Sequence, residues 1–368
     1  MEDIPVTTII GAIGFVLGIV FGAIAHRTDF CTMGSISDIV FMGSWNRFRA
    51  WVLAIAVATL ASQAMHIGGL IDLNKSIYLT PNFGWAGAII GGLLFGFGMT
   101  MTGGCGFKTL VRLGAGNLKS LVVAVFLGIF AYTTLRGLTG LARVELEGWT
   151  MIDLTEAADI PAQGIPNFLA TLFGSPVETI RLFVVAVIVL AMLWFCFKSV
   201  DFRESRRNIF AGASIGLMIA IAWFVTGVVG YDDFEPTPLA SFTFVNPVGE
   251  SVQYLMTFTG STINFGIATV GGVIVGAFVS AKAGNQFRIE SFVDSSDMVR
   301  HIVGGSIMGI GGIMALGCTV GQAMTGMSTL ALGSLLAWLS IIAGAVYGMK
   351  YLEEGSLSAA FSALFARG

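Results

Sequence analysis

Charge is scarce in this 368-residue chain: Asp, Glu, Lys and Arg together make up 11%, against about 25% in a soluble domain. So little charge cannot cover a water-facing surface of this size. The 55% hydrophobic content and the mean hydropathy of +0.85 therefore indicate an integral membrane protein. Other absences narrow the reading. The net charge of −3 is spread over connections, so neither a nucleic-acid partner nor a basic membrane-surface patch is expected. The four cysteines, Cys31, Cys105, Cys196 and Cys318, include no C-x-x-C pair, which leaves a metal knuckle or thioredoxin-like motif unsupported. Glu2 and Asp3 stand where a signal peptide would carry Lys or Arg, so a cleavable leader is not expected. No G-x-x-x-x-G-K-[ST] loop occurs, and the apolar runs hold almost no carboxylate or histidine beyond His66 near one end. An ATP-driven motor and a proton relay are both without support, and no metal, cofactor or catalytic centre is expected.

What is abundant is glycine (49) and methionine (16). Small residues let helix backbones approach closely in lipid, and thioethers fill irregular gaps. Apolar runs near the length that crosses about 30 Å of hydrocarbon fall at roughly 7–25, 50–66, 84–104, 118–138, 178–198, 209–230, 261–281, 302–317 and 330–349. The expectation is an all-α polytopic protein, residues 1–368 forming one membrane domain of about nine spans. Basic residues cluster in alternate connections: Arg47 and Arg49; Lys108, Arg112 and Lys119; Lys198, Arg203, Arg206 and Arg207. The remaining connections include two acidic ones, with Glu145, Glu147, Asp153, Glu156 and Asp159 in one and Asp232, Asp233 and Glu235 in the other. By the positive-inside rule the N-terminus lies outside and the C-terminus in the cytoplasm. Two apolar stretches, 30–43 (FCTMGSISDIVFMG) and 251–260 (SVQYLMTFTG), are too short to span. They read as re-entrant segments covered by protein, or else as surface amphipathic helices.

Gly91–Cys105 (GGLLFGFGMTMTGGC) and Gly304–Cys318 (GGSIMGIGGIMALGC) agree without gaps at seven of fifteen positions, ending on the same Gly-Cys. Units of about 6–138 and 209–349 then flank a central span at 178–198. An offset of five spans gives the two units opposite orientations, the inverted-repeat pattern of transporters with midplane sites on interrupted helices. The stretches after the repeat cysteines, Gly106–Leu113 and Thr319–Met327, read as half-helices whose N-termini begin at the thiol. Cys31 lies in the first re-entrant segment, whereas the equivalent region of the second unit, around Trp223–Tyr231, has no cysteine. Three thiols then line a pathway, and Cys196 lies outside it.

A thiol is a soft, weak hydrogen-bond donor, suited to a soft substrate such as a sulfur-bearing anion or Cu(I). Half-helix N-termini carry partial positive charge, which favours an anion near Gly104, Gly106, Gly317 and Thr319. Lys108 and Arg112 stand where the anion would leave, although the same charges serve as topology signals. Arg27 and Asp29 are expected to pair beside Cys31. Asn264, Gln322 and Thr319 are candidates to contact substrate oxygens, interhelical hydrogen bonds being the more frequent use of such residues.

The paired G-x-G…GC motifs and the FCTMG segment resemble the YeeE/YedE family of sulfur-compound transporters, most strongly over 26–49, 91–117 and 304–328. The resemblance implies thiosulfate uptake through a constriction lined by Cys31, Cys105 and Cys318, with S–H···S contacts handing the anion along. It also implies a bacterial inner-membrane location and delivery to a small cytoplasmic sulfur-carrier protein. The acidic 139–177 connection and the C-terminal tail have no assigned role in that pattern. Selenium-compound or Cu(I) transport and a membrane thiol sulfurtransferase remain alternatives. The sulfurtransferase would need an activated thiolate and a base or resolving thiol, and no histidine closely follows the three cysteines.

Overall fold

A computed structural model describes residues 5–232 and 237–365. Glu2, Asp3, Asp233 and Glu235, on which part of the charge reading rests, lie outside the described residues. The chain runs through α1 (Val6–Thr28), the short α2 (Thr32–Met42), α3 (Asn46–Ile67), α4 (Trp85–Thr102), the short α5 (Gly106–Gly114) and α6 (Leu118–Arg136). A connection carrying α7 (Leu138–Thr150), α8 (Leu154–Ala158) and α9 (Ile165–Phe173) leads to α10 (Val177–Phe197) and α11 (Val200–Glu204). Next come α12 (Arg206–Phe224), the short α13 (Val245–Met256), α14 (Phe265–Ala283), α15 (Ser295–Met314), a wide π-helical segment at Thr319–Gly326, α16 (Leu332–Glu354) and α17 (Leu357–Phe365). Among the described residues nine helical segments are long and apolar enough to cross a membrane, so the chain is an all-α, multi-pass membrane protein.

Two boundaries differ from expectation for local reasons. Helix α15 begins at Ser295 rather than near 302, because the Asp294 carboxylate accepts the Asp297 N–H at 2.6 Å and caps a polar first turn. The second short helix covers Val245–Met256 rather than 251–260. Its polar start, with Pro247 tolerated in the first turn, hides from an apolar count.

The helices pair reciprocally: α1 lies on α14 as α3 lies on α12, and α4 on α16 as α6 on α15, while α4 and α15 cross at the centre. Glycines set these crossings. A Cβ on Gly91 would stand 2.6 Å from the Gly311 carbonyl, and one on Gly311 would stand 2.6 Å from the Gly91 carbonyl. Large apolar side chains such as Val16, Leu182, Phe183, Leu190 and Trp194 point outward, as the lipid-facing surface of a membrane bundle requires.

The acidic connection closes over one end of the bundle. Ile152–Asp153 pairs antiparallel with Asn82–Phe83, and the Asp153 carboxylate caps α8 by accepting the Thr155 N–H at 2.8 Å. The Ile165 N–H donates to the Leu330 carbonyl and the Leu332 N–H to the Gln163 carbonyl, both at 2.9 Å. This clamp holds the turn that follows the wide segment. At the opposite end, Asn117 caps α6 by accepting the Ser120 N–H at 3.0 Å, and its Nδ2 donates to Glu290 at 2.6 Å. Asn117→Ala should therefore destabilise the protein by about 1–2 kcal/mol. Thermal unfolding in detergent reads this as a lowered midpoint, and an unchanged midpoint would contradict it.

Candidate functional site

Four short helical segments start deep in the bundle, and the residue before each start is Cys31 for α2, Cys105 for α5, Phe244 for α13 and Cys318 for the wide segment. The three cysteines are 4%, 0% and 0% exposed, and Phe244 is 0% exposed. Cys105 lies within electrostatic reach of both Cys31 and Cys318, and the backbone of Phe244 lies beside Cys318. The site thus gathers four helix N-termini, each contributing partial positive charge and unsatisfied N–H groups.

The sulfurs are not equivalent. Cys31 Sγ accepts the Gly34 N–H at 3.4 Å and Cys318 Sγ accepts the Gly321 N–H at 3.5 Å, so each caps its own segment. The Cys105 sulfur has the Lys108 N–H and the Thr319 hydroxyl as its hydrogen-bonding neighbours. Its neighbour Thr319 has a buried hydroxyl whose one near partner is the weakly accepting Cys105 sulfur, and the buried hydroxyl of Thr32 beside Cys31 has no partner. Buried polar atoms are usually satisfied. Two hydroxyls so poorly satisfied next to two of the thiols are therefore an exception in need of an explanation. Gln322 adds a third, since its Nε2 donates to the Ala315 carbonyl while its Oε1 has no partner.

The glycines around these thiols differ from those at the helix crossings. A Cβ on Gly104, Gly106 or Gly317 would meet nothing closer than 3.3 Å, and its nearest neighbours would mostly be side chains. At Gly91, Gly92 and Gly98 it would run into backbone or side-chain atoms within 2.8 Å. Helix packing thus explains the second group and leaves the first without a packing role.

Aromatic rings fill the space beside the thiols. Phe21 stacks on Phe242 at 4.6 Å and meets Phe107 edge-on at 5.2 Å, and Phe107 lies 5.5 Å from Phe244. Beyond this packed layer, a cavity of about 760 Å³ opens at the end of the bundle where α1, α4 and α5 finish. It carries seven Lys or Arg side chains against three carboxylates, and Lys108, Arg112 and Asp29 lie on its wall. At the other end, a more apolar cavity of about 450 Å³ is lined by Thr7, Tyr78, Thr243, Asn246 and Asn264, among others.

Among the expected site residues, Cys31, Cys105, Cys318 and Thr319 come together, with Gly104, Gly106 and Gly317 adjacent to them in the chain. Lys108 and Arg112 separate in role. Lys108, nearly buried, is ion-paired with Asp29, while Arg112 lies against Gly103 and Gly104 with no carboxylate within ion-pair distance among the described residues. The expected Arg27–Asp29 pair is not formed. Asp29 sits in the left-handed region at φ 52°, and its carboxylate is held by Lys108 and by Arg47 at 3.2 Å. Asn264 caps α14 and donates to Glu250 at 2.8 Å, a structural use. The Phe cluster and the Asp29–Lys108 pair escaped sequence reasoning. The pair joins residues 79 apart, and no local pattern carries such a contact.

Broken helices meeting between two cavities inside a multi-pass bundle are a recurring architecture of membrane transporters. A family model described as sulphur transport matches residues 27–347, and the chain belongs to that family. It is similar to the thiosulfate transporter TsuA of Escherichia coli K12, at 26% identity over 84% of this chain and 86% of the relative. It is likewise similar to the thiosulfate transporter TsuA of Spirochaeta thermophila, at 25% identity over 85% of this chain and 90% of the relative. The probable transporter YedE of E. coli K12 is 32% identical, over 25% of this chain and 21% of the relative.

Proposed function

We propose that the protein takes up thiosulfate, or a related soft sulfur-containing anion, along a central path through Cys31, Cys105 and Cys318. The carrying observation is the meeting of these three buried thiols at helix N-termini, beside the unpartnered hydroxyl of Thr32 and the hydroxyl of Thr319, whose one near partner is the Cys105 sulfur. Thiosulfate presents two chemistries, a soft terminal sulfur and hard oxygens. Thiol S–H groups suit the first, and hydroxyls and helix N–H groups suit the second. A substrate with both ends would satisfy the orphan groups that the resting protein leaves open. Gly104, Gly106 and Gly317 give it access to the backbone.

In this reading the bundle is two inverted repeats, about 6–138 and 209–349, around the central span. The reciprocal helix pairing and the reciprocal Gly91 and Gly311 contacts support it. The basic cavity faces the cytoplasm of a bacterial inner membrane, the N-terminus lies outside, and no step of transport is enzymatic. A small cytoplasmic sulfur-carrier protein would receive the sulfur on the cytoplasmic side.

The test is radiolabelled thiosulfate uptake in a strain lacking its own transporters, with sulfate and selenium oxyanions as competitors. Uptake with weak competition by sulfate is expected. Absence of uptake, or full displacement by sulfate, would reject thiosulfate as the substrate.

A further inference from the structure

We infer that the floor of the basic cavity is a second anion station, occupied at rest by the Asp29 carboxylate, which an arriving divalent sulfur oxyanion displaces from Lys108. The inference rests on the thiosulfate reading above and adds to it a place for the oxyanion once it has passed Cys105. Lys108 and Arg112 follow Cys105 by three and seven residues on α5, so both lie on the helix face below that thiol. Lys108 is held out of water, with 9% of its side chain exposed, so its ammonium needs a partner. Asp29 provides one from the other cysteine-bearing element, standing two residues before Cys31.

Asp29 is a replaceable partner. Its side chain is 53% exposed to the cavity. It also keeps a second cation, because Arg47 contacts its carboxylate at 3.2 Å and its carbonyl at 3.0 Å while reaching Asp38 at 3.5 Å. When an oxyanion takes Lys108, Asp29 remains paired with Arg47, and neither partner is left as an isolated charge. Arg112 completes the station. Its guanidinium is without a carboxylate among the described residues, and Nη1 would be 3.4 Å from a Cβ on Gly103 or Gly104, which brings it against the turn that precedes Cys105. A dianion held by Lys108 and Arg112 outcompetes a monoanion tethered to one of them. The surrounding excess of cations then draws it onward into the cavity.

The experiment measures thiosulfate and sulfate binding to detergent-purified, monodisperse protein by calorimetry, alongside uptake in proteoliposomes. Asp29→Asn empties the station and should tighten thiosulfate binding about fivefold, whereas Lys108→Gln should weaken it at least about tenfold. Arg112→Gln disturbs no ion pair and should weaken binding on the order of fivefold. The swap of Asp29→Lys with Lys108→Asp retains an ion pair between the two positions, although it brings a second cation up to Arg47, and should lose binding and uptake. Recovery of uptake by the swap would make the pair merely structural and overturn the station. So would unchanged binding in Asp29→Asn and Arg112→Gln. If the wild type carries no thiosulfate while Asp29→Asn still tightens oxyanion binding, the station stands and the substrate reading falls.

Discussion

Cys105→Ala should abolish thiosulfate uptake, lowering it at least about 100-fold, in a protein that still folds. Two properties single out this thiol. Cys105 is 0% exposed at the start of a half-helix, and it lies within electrostatic reach of both Cys31 and Cys318, which places it between them. Alanine removes one heavy atom, so the loss of burial costs the fold about 1 kcal/mol, and the helix start, held by backbone geometry, is retained. Transport loses its central soft contact. If that contact lowers the barrier by about 3 kcal/mol, its removal slows passage about 100-fold. Cys105→Ser is the sharper control, because a hydroxyl preserves size and hydrogen bonding and changes only softness; it should also fail. Cys318→Ala should lose uptake too, with an added cost from the lost Gly321 cap. Growth on thiosulfate as sole sulfur source, together with radiolabelled uptake and a size-exclusion profile, reads all three variants. Wild-type uptake by Cys105→Ala and Cys318→Ala would reject the thiol path.

Gly96→Leu should prevent stable folding. Gly96 lies where α4 crosses α16, and a Cβ there would collide with the Ile341 carbonyl and stand 2.6 Å from the Ala345 N. Its neighbour one turn earlier, Gly92, would meet the Ala337 carbonyl at 2.8 Å, so the seam is a continuous backbone contact. Overpacking a core with extra methylenes costs about 1–3 kcal/mol when side chains can move aside. Here backbone meets backbone, and relief requires separating two spanning helices, so a loss of at least about 3 kcal/mol is expected. The outcome is aggregated or proteolysed protein, or an unfolding midpoint lowered by many degrees. Gly104→Ala is the contrast, because that position meets only the Lys108 and Arg112 side chains at 3.3–3.4 Å. Its fold should survive. A well-folded Gly96→Leu protein would show that the crossing does not constrain the fold.

The sequence was most legible where one solvent dictates many residues at once. Lipid demands long apolar runs with satisfied backbones, so the nine spans could be read with errors of a few residues, largest where polar caps such as Asp294 or a polar start such as Asn246-Pro247 open a helix. The half-helices after Cys105 and Cys318 were legible for a similar reason, since the Gly-Cys turn breaks the run and a second helical stretch resumes at once. The 139–177 connection was not legible in role. Its clamp on Leu330 and Leu332 consists of backbone hydrogen bonds, which leave no residue signature.

By itself, then, the sequence determined the membrane class, the spans, the repeated Gly-Cys motif and the chemical character of a candidate site of soft thiols and helix N-termini, because each follows from composition or spacing along the chain. Tertiary structure alone decided that the thiols of separate elements meet, and that Phe244 takes the fourth helix start. It also decided that Lys108 is spoken for by Asp29 while Arg112 is not. Those outcomes depend on which distant side chains become neighbours when helices cross at glycine. Charge pairing acts through space, so a lysine read in the sequence as a guide for an anion can be neutralised by a carboxylate from 79 residues away.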